Sequence, residues 1–156
     1  AISNRLFYSD RLTCGPLAPS HGSVVMHDVK DGSESSDGTS IRNVEEAVFV
    51  GKLAKTLKKE QEGSVVLITP YSSQVSVLIA QRSGCEVHTV DSFQGREADI
   101  VVLSCVRDGT RGLGFVDDDR RMTVALSRAR KRLEIVASKT DMWPRESVVR
   151  RVMDMI

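Results

Sequence analysis

Aromatic residues make up only 4% of this 156-residue chain, so its core has to be built from aliphatic side chains. Neither sign of charge is in excess. Twenty-two basic side chains stand against 21 acidic ones for a net charge of +1, and no global field points to nucleic acid or to a membrane surface. No apolar run approaches the roughly 18 residues that cross a bilayer, and the first residues lack the basic-then-apolar layout of a secretory signal. A soluble, intracellular protein, cytoplasmic or nuclear, without a membrane partner is expected. The three cysteines, Cys14, Cys85 and Cys105, are odd in number and far apart, which fits free thiols in a reducing compartment. His21, His27 and His88 show no ligand spacing with them, so no metal site is expected.

What is present is an ordinary globular composition, 40% hydrophobic and 28% charged, in a chain long enough for one domain that buries about 70% of its unfolded surface. It opens at Ala1 without a methionine, which reads as a piece of a longer protein. Gly15, Pro16, Pro19 and Gly22 punctuate the first stretch, so residues 1–23 read as a connector. Val24–Met26 opens a first strand, and the acidic, turn-rich residues 31–40 read as a flexible loop that only connects.

Val44, Ala47, Val48, Gly51, Ala54 and Leu57 recur at helical steps, and Asn43 with Glu46 forms a capping pair, predicting a helix over 43–61. Ser64–Thr69 is a short β-branched run bounded by Gly63 and Pro70, as in a strand buried on both faces of a parallel sheet. A helix over 73–81, strands over 86–90 and 100–106, a helix over 119–130 and a strand over 133–137 follow. This alternation predicts an α/β fold, a parallel sheet with helices on both faces over residues 24–138, and then a helical extension over 139–156.

Ligands of such sheets collect in loops at the carboxyl ends of strands, so three segments attract attention. Thr69–Gln74 directly follows a buried strand and has the plain reading of a strand stop and helix cap. Thr89–Glu97 sets hydroxyl, carboxylate, amide and guanidinium groups around one glycine, a composition suited to phosphate and sugar contacts. Asp117–Arg132 begins with three aspartates and ends in a basic cluster, which a helix dipole alone accounts for. The dipole does not account for Arg120, Arg121 and Arg128, spaced seven or eight residues apart, where two turns of the expected helix bring side chains into register. A guanidinium offered by one domain to a nucleotide held by another acts as an arginine finger.

In this order and spacing the segments TPYSSQ, VDSFQGREADIVVLSCVR and GFVDDDRRMTVALSRAR resemble motifs IV, V and VI of superfamily 1 helicases, closest to the nonsense-decay helicase and senataxin group. The likeness reaches upstream through residues 38–47 and 7–12 and covers most of the chain to about Ser138. It implies the second RecA-like half of an ATP-driven helicase or translocase. It implies that Arg128 is the finger on the ATP γ-phosphate and that Gly95 and Glu97 face the nucleotide. Tyr71 and Gln74 fit motif IV, with nucleotide positioning or simple packing both open to them. Thr89, Ser92 and Gln94 are implied to contact the backbone of single-stranded RNA or DNA, with Arg120 and Arg121 able to support either ligand.

The stretch Ser72–Val75 carries no basic residue, so no second finger is evident there. Nor does the sequence contain a G-x-x-x-x-G-K-[ST] phosphate loop or a following acidic pair for Mg²⁺. ATP and Mg²⁺ are therefore expected to be held mainly by an upstream RecA-like domain, and this chain alone is not expected to hydrolyse ATP. The alternative is a stand-alone nucleic-acid- or protein-binding module with degenerate motifs.

Overall fold

A computed structural model describes residues 23–155; the connector expected over 1–23 lies almost entirely outside them. The elements run β1 (Ser23–Val29), β2 (Ser35–Asp37), β3 (Ser40–Arg42), α1 (Val44–Glu60), β4 (Val65–Thr69), α2 (Ser72–Ala80), β5 (Glu86–Thr89), β6 (Ala98–Ser104), α3 (Asp119–Leu126), β7 (Ala129–Ser138) and α4 (Val148–Met155). Short 3₁₀ turns occupy Gly114–Asp117 and Thr140–Met142. Five strands form one sheet in the order β1-β7-β6-β4-β5, and every pairing in it is parallel. The RecA-like α/β arrangement implied by the sequence is present.

Strand alternation divides the interior into two layers. Val65 and Leu67 of β4, Ile100 and Val102 of β6 and Val136 of β7 face Ala47, Val50, Ala54 and Leu57 of α1 and Leu78 of α2. Val66, Ile68, Val101, Leu103, Leu133 and Ile135 face the other way, against Phe93, Met122, Ala125, Leu126 and Val148, Val149 and Val152 of α4. The segment after Ser138 is thus tied into the sheet, and Trp143, 3% exposed, belongs to the same layer.

Two expectations need correction. Residues 31–40 are not a passive loop: Ser35–Asp37 and Ser40–Arg42 pair as an antiparallel hairpin, and Glu34 is drawn into an ion pair with Arg107 at 3.0 Å. The helix expected over 119–130 ends at Leu126. Ser127 Oγ donates to the Val124 carbonyl at 3.0 Å, and Ala98 N–H donates to the Arg128 carbonyl, so the chain joins the sheet at Ala129. The basic cluster therefore enters β7 instead of finishing a helix. Of the thiols, Cys105 is buried and Cys85 partly so; no helix among the described residues is long and apolar enough to cross a membrane.

Candidate functional site

Since the strands are parallel, each connection leaves the carboxyl end of the sheet and must return the chain to its amino end. Residues 90–97 make that return from β5 to β6 without a helix. Phe93, fully buried, is the plug that holds the crossover to the sheet. Its ring stacks with His88 at 5.4 Å and carries the Arg96 guanidinium at 4.9 Å, while Arg96 pairs with Glu86 at 3.1 Å. One short segment thus begins at the carboxyl end with Thr89 and finishes at the amino end with Arg96 and Glu97.

Arg128 lies at the amino end, just before β7. Its half-buried guanidinium donates from Nε to the Val124 carbonyl at 2.9 Å, from Nη1 to the Arg96 carbonyl at 3.1 Å and from Nη2 to Ser127 Oγ at 3.0 Å. Among the described residues it has no carboxylate partner. Gly95, Arg96 and Glu97 are exposed around it. Gly95 has φ +81, and a Cβ there would meet nothing within 4 Å, so the position combines a left-handed backbone with open space. Beneath them Asp99 accepts from Ser64 N–H at 3.1 Å and from Arg130 Nε at 3.1 Å. These two donors hold its carboxyl below the ordinary range and tie the starts of β4, β6 and β7 together.

The carboxyl end is built otherwise. Glu46, wholly buried, accepts at 2.7 Å from Ser104 Oγ, Val106 N–H and Ser138 Oγ. Burial pushes its carboxyl up to about 7, against the pull of those same donors. Gln74 is also fully buried; it accepts from Asn43 N–H and donates to the Asn43 carbonyl and Ser104 Oγ. The N-cap of α1 is real, with Asn43 accepting from Glu46 N–H, but the return bond of a capping box is replaced by Gln74. Above this layer Tyr71, half-buried, accepts from Arg107 Nε at 3.0 Å. Thr89 and Ser92 bond to each other, Ser92 N–H to Thr89 Oγ1 and Ser92 Oγ to the Thr89 carbonyl, both at 3.1 Å.

The residues singled out from the sequence, all expected at the carboxyl ends of strands, instead divide between two ends, because residues 90–97 cross the sheet and Arg128 directly precedes β7. Gly95, Glu97 and Arg128 come together at the amino end. Thr89 and Ser92 lie at the carboxyl end with Gln94 exposed along the crossover. Arg120 and Arg121, exposed at the start of α3, are bonded through their N–H groups to the capping Asp118. They are not in register with Arg128, because α3 stops before it.

Tyr71 and Gln74, grouped with the nucleotide on sequence grounds, do not join Arg128. Val136 is level with Ser104 and Ala129 with Ala98, a separation of roughly 23 Å along the strand at about 3.3 Å per residue. Gln74 presents no surface at all, which favours the packing alternative for it. Asp99, Arg107 and Glu34 were missed, and of these only Arg107, the base directly after a buried strand, had a local signal; Arg96 stood within the Thr89–Glu97 segment but was assigned no role of its own.

The parallel sheet and its flanking helices define a RecA-like α/β domain. The chain belongs to the AAA domain family AAA_12, which matches residues 1–140, and with it to the nonsense-decay type of superfamily 1 helicase domains. It is 41% identical over 133 residues to Regulator of nonsense transcripts 1 of Dictyostelium discoideum, covering 72% of this chain and 10% of that protein. It is 36% identical over 169 residues to the 5'-3' DNA helicase ZGRF1 of Mus musculus, covering 93% of this chain and 9% of that protein. A Regulator of nonsense transcripts 1 homolog of Arabidopsis thaliana is 40% identical over 128 residues, covering 70% of this chain and 10% of that protein. The chain thus spans about a tenth of the length of these relatives.

Proposed function

We propose that this chain is the second RecA-like half of an ATP-dependent helicase or translocase. Its amino end completes a nucleotide site held by an upstream half, and its carboxyl end grips single-stranded RNA or DNA. The observation that carries this reading is Arg128: a guanidinium with no carboxylate partner among the described residues, oriented by three acceptors of its own domain beside an open, glycine-containing loop. Of the five N–H donors of an arginine, three are used in fixing it, which leaves two for a phosphate.

These residues fit one side of an ATP γ-phosphate and not the whole nucleotide. ATP supplies the phosphoanhydride bond; Arg128 offsets charge on the transferred group, and the planar fork suits two phosphate oxygens together. Gly95 and Glu97 line the same mouth. Among the described residues no group of three or more His, Cys, Asp or Glu could hold a metal, and Mg²⁺ belongs in this proposal to the upstream half. At the other end Tyr71, Thr89, Ser92, Arg120 and Arg121 form the nucleic-acid face, with Gln94 beside it. Tyr71 moves there because its strand end is remote from Arg128.

Cleft opening and closing then moves one grip relative to the other, with the crossover 90–97 joining the two ends mechanically. The test is to join the domain to its upstream half and compare ATPase rates of the native protein and Arg128→Ala. A finger contributes about 10³–10⁵ in rate. A loss smaller than about tenfold removes Arg128 from that role.

A further inference from the structure

β6 leaves the sheet through an unusual turn. Val106 is β-branched, fully buried and held at φ +70, a left-handed conformation that such residues rarely adopt. The Arg107 N–H donates to the Cys105 carbonyl at 2.8 Å across it, closing a three-residue turn of the strained kind. Both polar groups of Val106 are clamped from α1. Its N–H donates to Glu46 Oε1 at 2.7 Å, and its carbonyl accepts from Asn43 Nδ2 at 2.9 Å. The structure around the clamp is fully buried, so neither bond is replaced cheaply by water.

The turn determines where Arg107 points. Its Nε donates to the Tyr71 hydroxyl at 3.0 Å, its guanidinium lies 5.7 Å from the Tyr71 ring centre, and Nη1 pairs with Glu34 at 3.0 Å. Backbone closes over the pair at Gly114, where a Cβ would come within 2.6 Å of Arg107 Nη2 and 3.1 Å of the Tyr71 hydroxyl. Arg107 is therefore a brace for Tyr71, and its own charge is satisfied by Glu34.

We propose that Asn43 and Glu46 are positioning residues for the nucleic-acid grip: by holding Val106 in its left-handed turn they aim Arg107 at Tyr71, which fixes the Tyr71 ring to stack on a base of a single strand. The inference rests on the reading of the carboxyl end as the nucleic-acid face. Stacking on a fixed aromatic ring tolerates any base, so the grip would hold a strand without reading its sequence. A brace raises affinity by removing rotamer freedom from the ring before the strand arrives.

The experiment measures binding of a short single-stranded oligouridylate to the chain and follows the Arg107 Nε–H signal by NMR, identified by its loss in Arg107→Lys. Tyr71→Ala is expected to weaken binding roughly tenfold. Glu46→Ala should weaken it to a similar degree, shift the Arg107 Nε–H signal, and add little in combination with Tyr71→Ala. Glu46→Gln keeps volume and an acceptor for Val106 and should restore both readouts. If Tyr71→Ala binds like the native chain, the assignment of Tyr71 to the grip is wrong. If Tyr71→Ala weakens binding while Glu46→Ala does not, or if their effects multiply, the positioning role is overturned and the grip stands. Should Glu46→Ala not fold, Asn43→Ser, which keeps a helix-capping hydroxyl but removes the bond to the Val106 carbonyl, takes its place in the same comparison with the same two outcomes.

Discussion

At the carboxyl end of the sheet Asn43, Glu46, Gln74, Ser104 and Ser138 are wholly buried and bonded to one another, whereas at the amino end Gly95, Arg96 and Glu97 stand exposed around a half-buried Arg128. A satisfied buried network rigidifies what lies above it, because each member left unpaired would cost about 1–3 kcal/mol. That five-residue network is thus satisfied within this domain, although the buried Thr69 Oγ1 at the same end has no partner among the described residues. The amino end holds a cation in place and leaves one side open, as a half-site completed by another domain would. In the proposed function, rigidity at one end would hold the nucleic acid and incompleteness at the other would leave room for a nucleotide shared with a second domain.

The largest effect that would break this comparison is at Arg128. In a protein containing both halves, Arg128→Lys should lower the ATPase rate by about 10² or more, since lysine keeps the charge but not the fork. Oligonucleotide affinity should stay within about twofold. Equal losses of ATPase and binding would show that the two ends are not separate sites.

Next comes the plug of the crossover. Phe93→Ala should destabilise the domain by about 3–5 kcal/mol, read from urea unfolding, and because residues 90–97 join both ends it should impair ATPase and binding together. Impairment of one alone would mean that the crossover does not connect them.

A third, smaller effect is pH-dependent and belongs to the carboxyl end. The Glu46 carboxyl is raised from 4.5 to about 7 in the folded chain, so the folded state binds its proton more tightly than the unfolded one does. Stability should be undiminished by Glu46 below about pH 4.5, fall as pH rises towards 7, and level off above that, by on the order of 3 kcal/mol at most. Asp99 and Glu86 are shifted the other way and lose their contributions only as pH falls through their lowered values. Urea midpoints from about pH 5 to 8 should therefore slope downward in the native chain and flatten in Glu46→Gln. A slope unchanged by the substitution places its origin elsewhere.

The smallest effect is at the surface of the proposed nucleic-acid face. Arg121→Ala should reduce the salt dependence of single-strand binding by about 0.7 in logarithmic slope, the share of one phosphate contact. The same change should leave ATPase of the joined protein without nucleic acid untouched. A slope that does not move would take Arg121 out of the grip, leaving its contacts with Asp118 and Phe115 as its whole role.

Much of the scaffold was legible because its signals are local. Of the apolar steps expected on one face of α1, Ala47, Gly51, Ala54 and Leu57 are buried while Val44 and Val48 are exposed and Val50 takes the place of the latter, and Val65–Thr69, without a polar face, is buried throughout. β6 was expected to continue to Val106 but ends at Ser104, since the forced turn at Val106 takes the chain out of the ladder. α3 begins at Asp119 as expected, but its early end was missed for a related reason: sequence spacing favoured a helix through Arg130, and the pull of β6 on residues from Ala129 onward outweighed it. Glu34 gave no signal within an acidic, turn-rich stretch, as its partner lies 73 residues away.

The order of strands and helices and the aliphatic two-sided sheet were determined by the sequence itself, because periodicity and spacing act over a few residues, while Gly95, Glu97 and Arg128 were singled out by the resemblance of their segments to helicase motifs. Which end of the sheet each motif occupies was decided only by the tertiary structure. Tyr71 and Arg128 were separated, and Asn43, Glu46, Gln74, Ser104 and Ser138 united, by parallel strand register and by hydrogen bonds between residues up to 95 positions apart. Those depend on how the chain returns across the sheet, and no local pattern of side chains encodes that return.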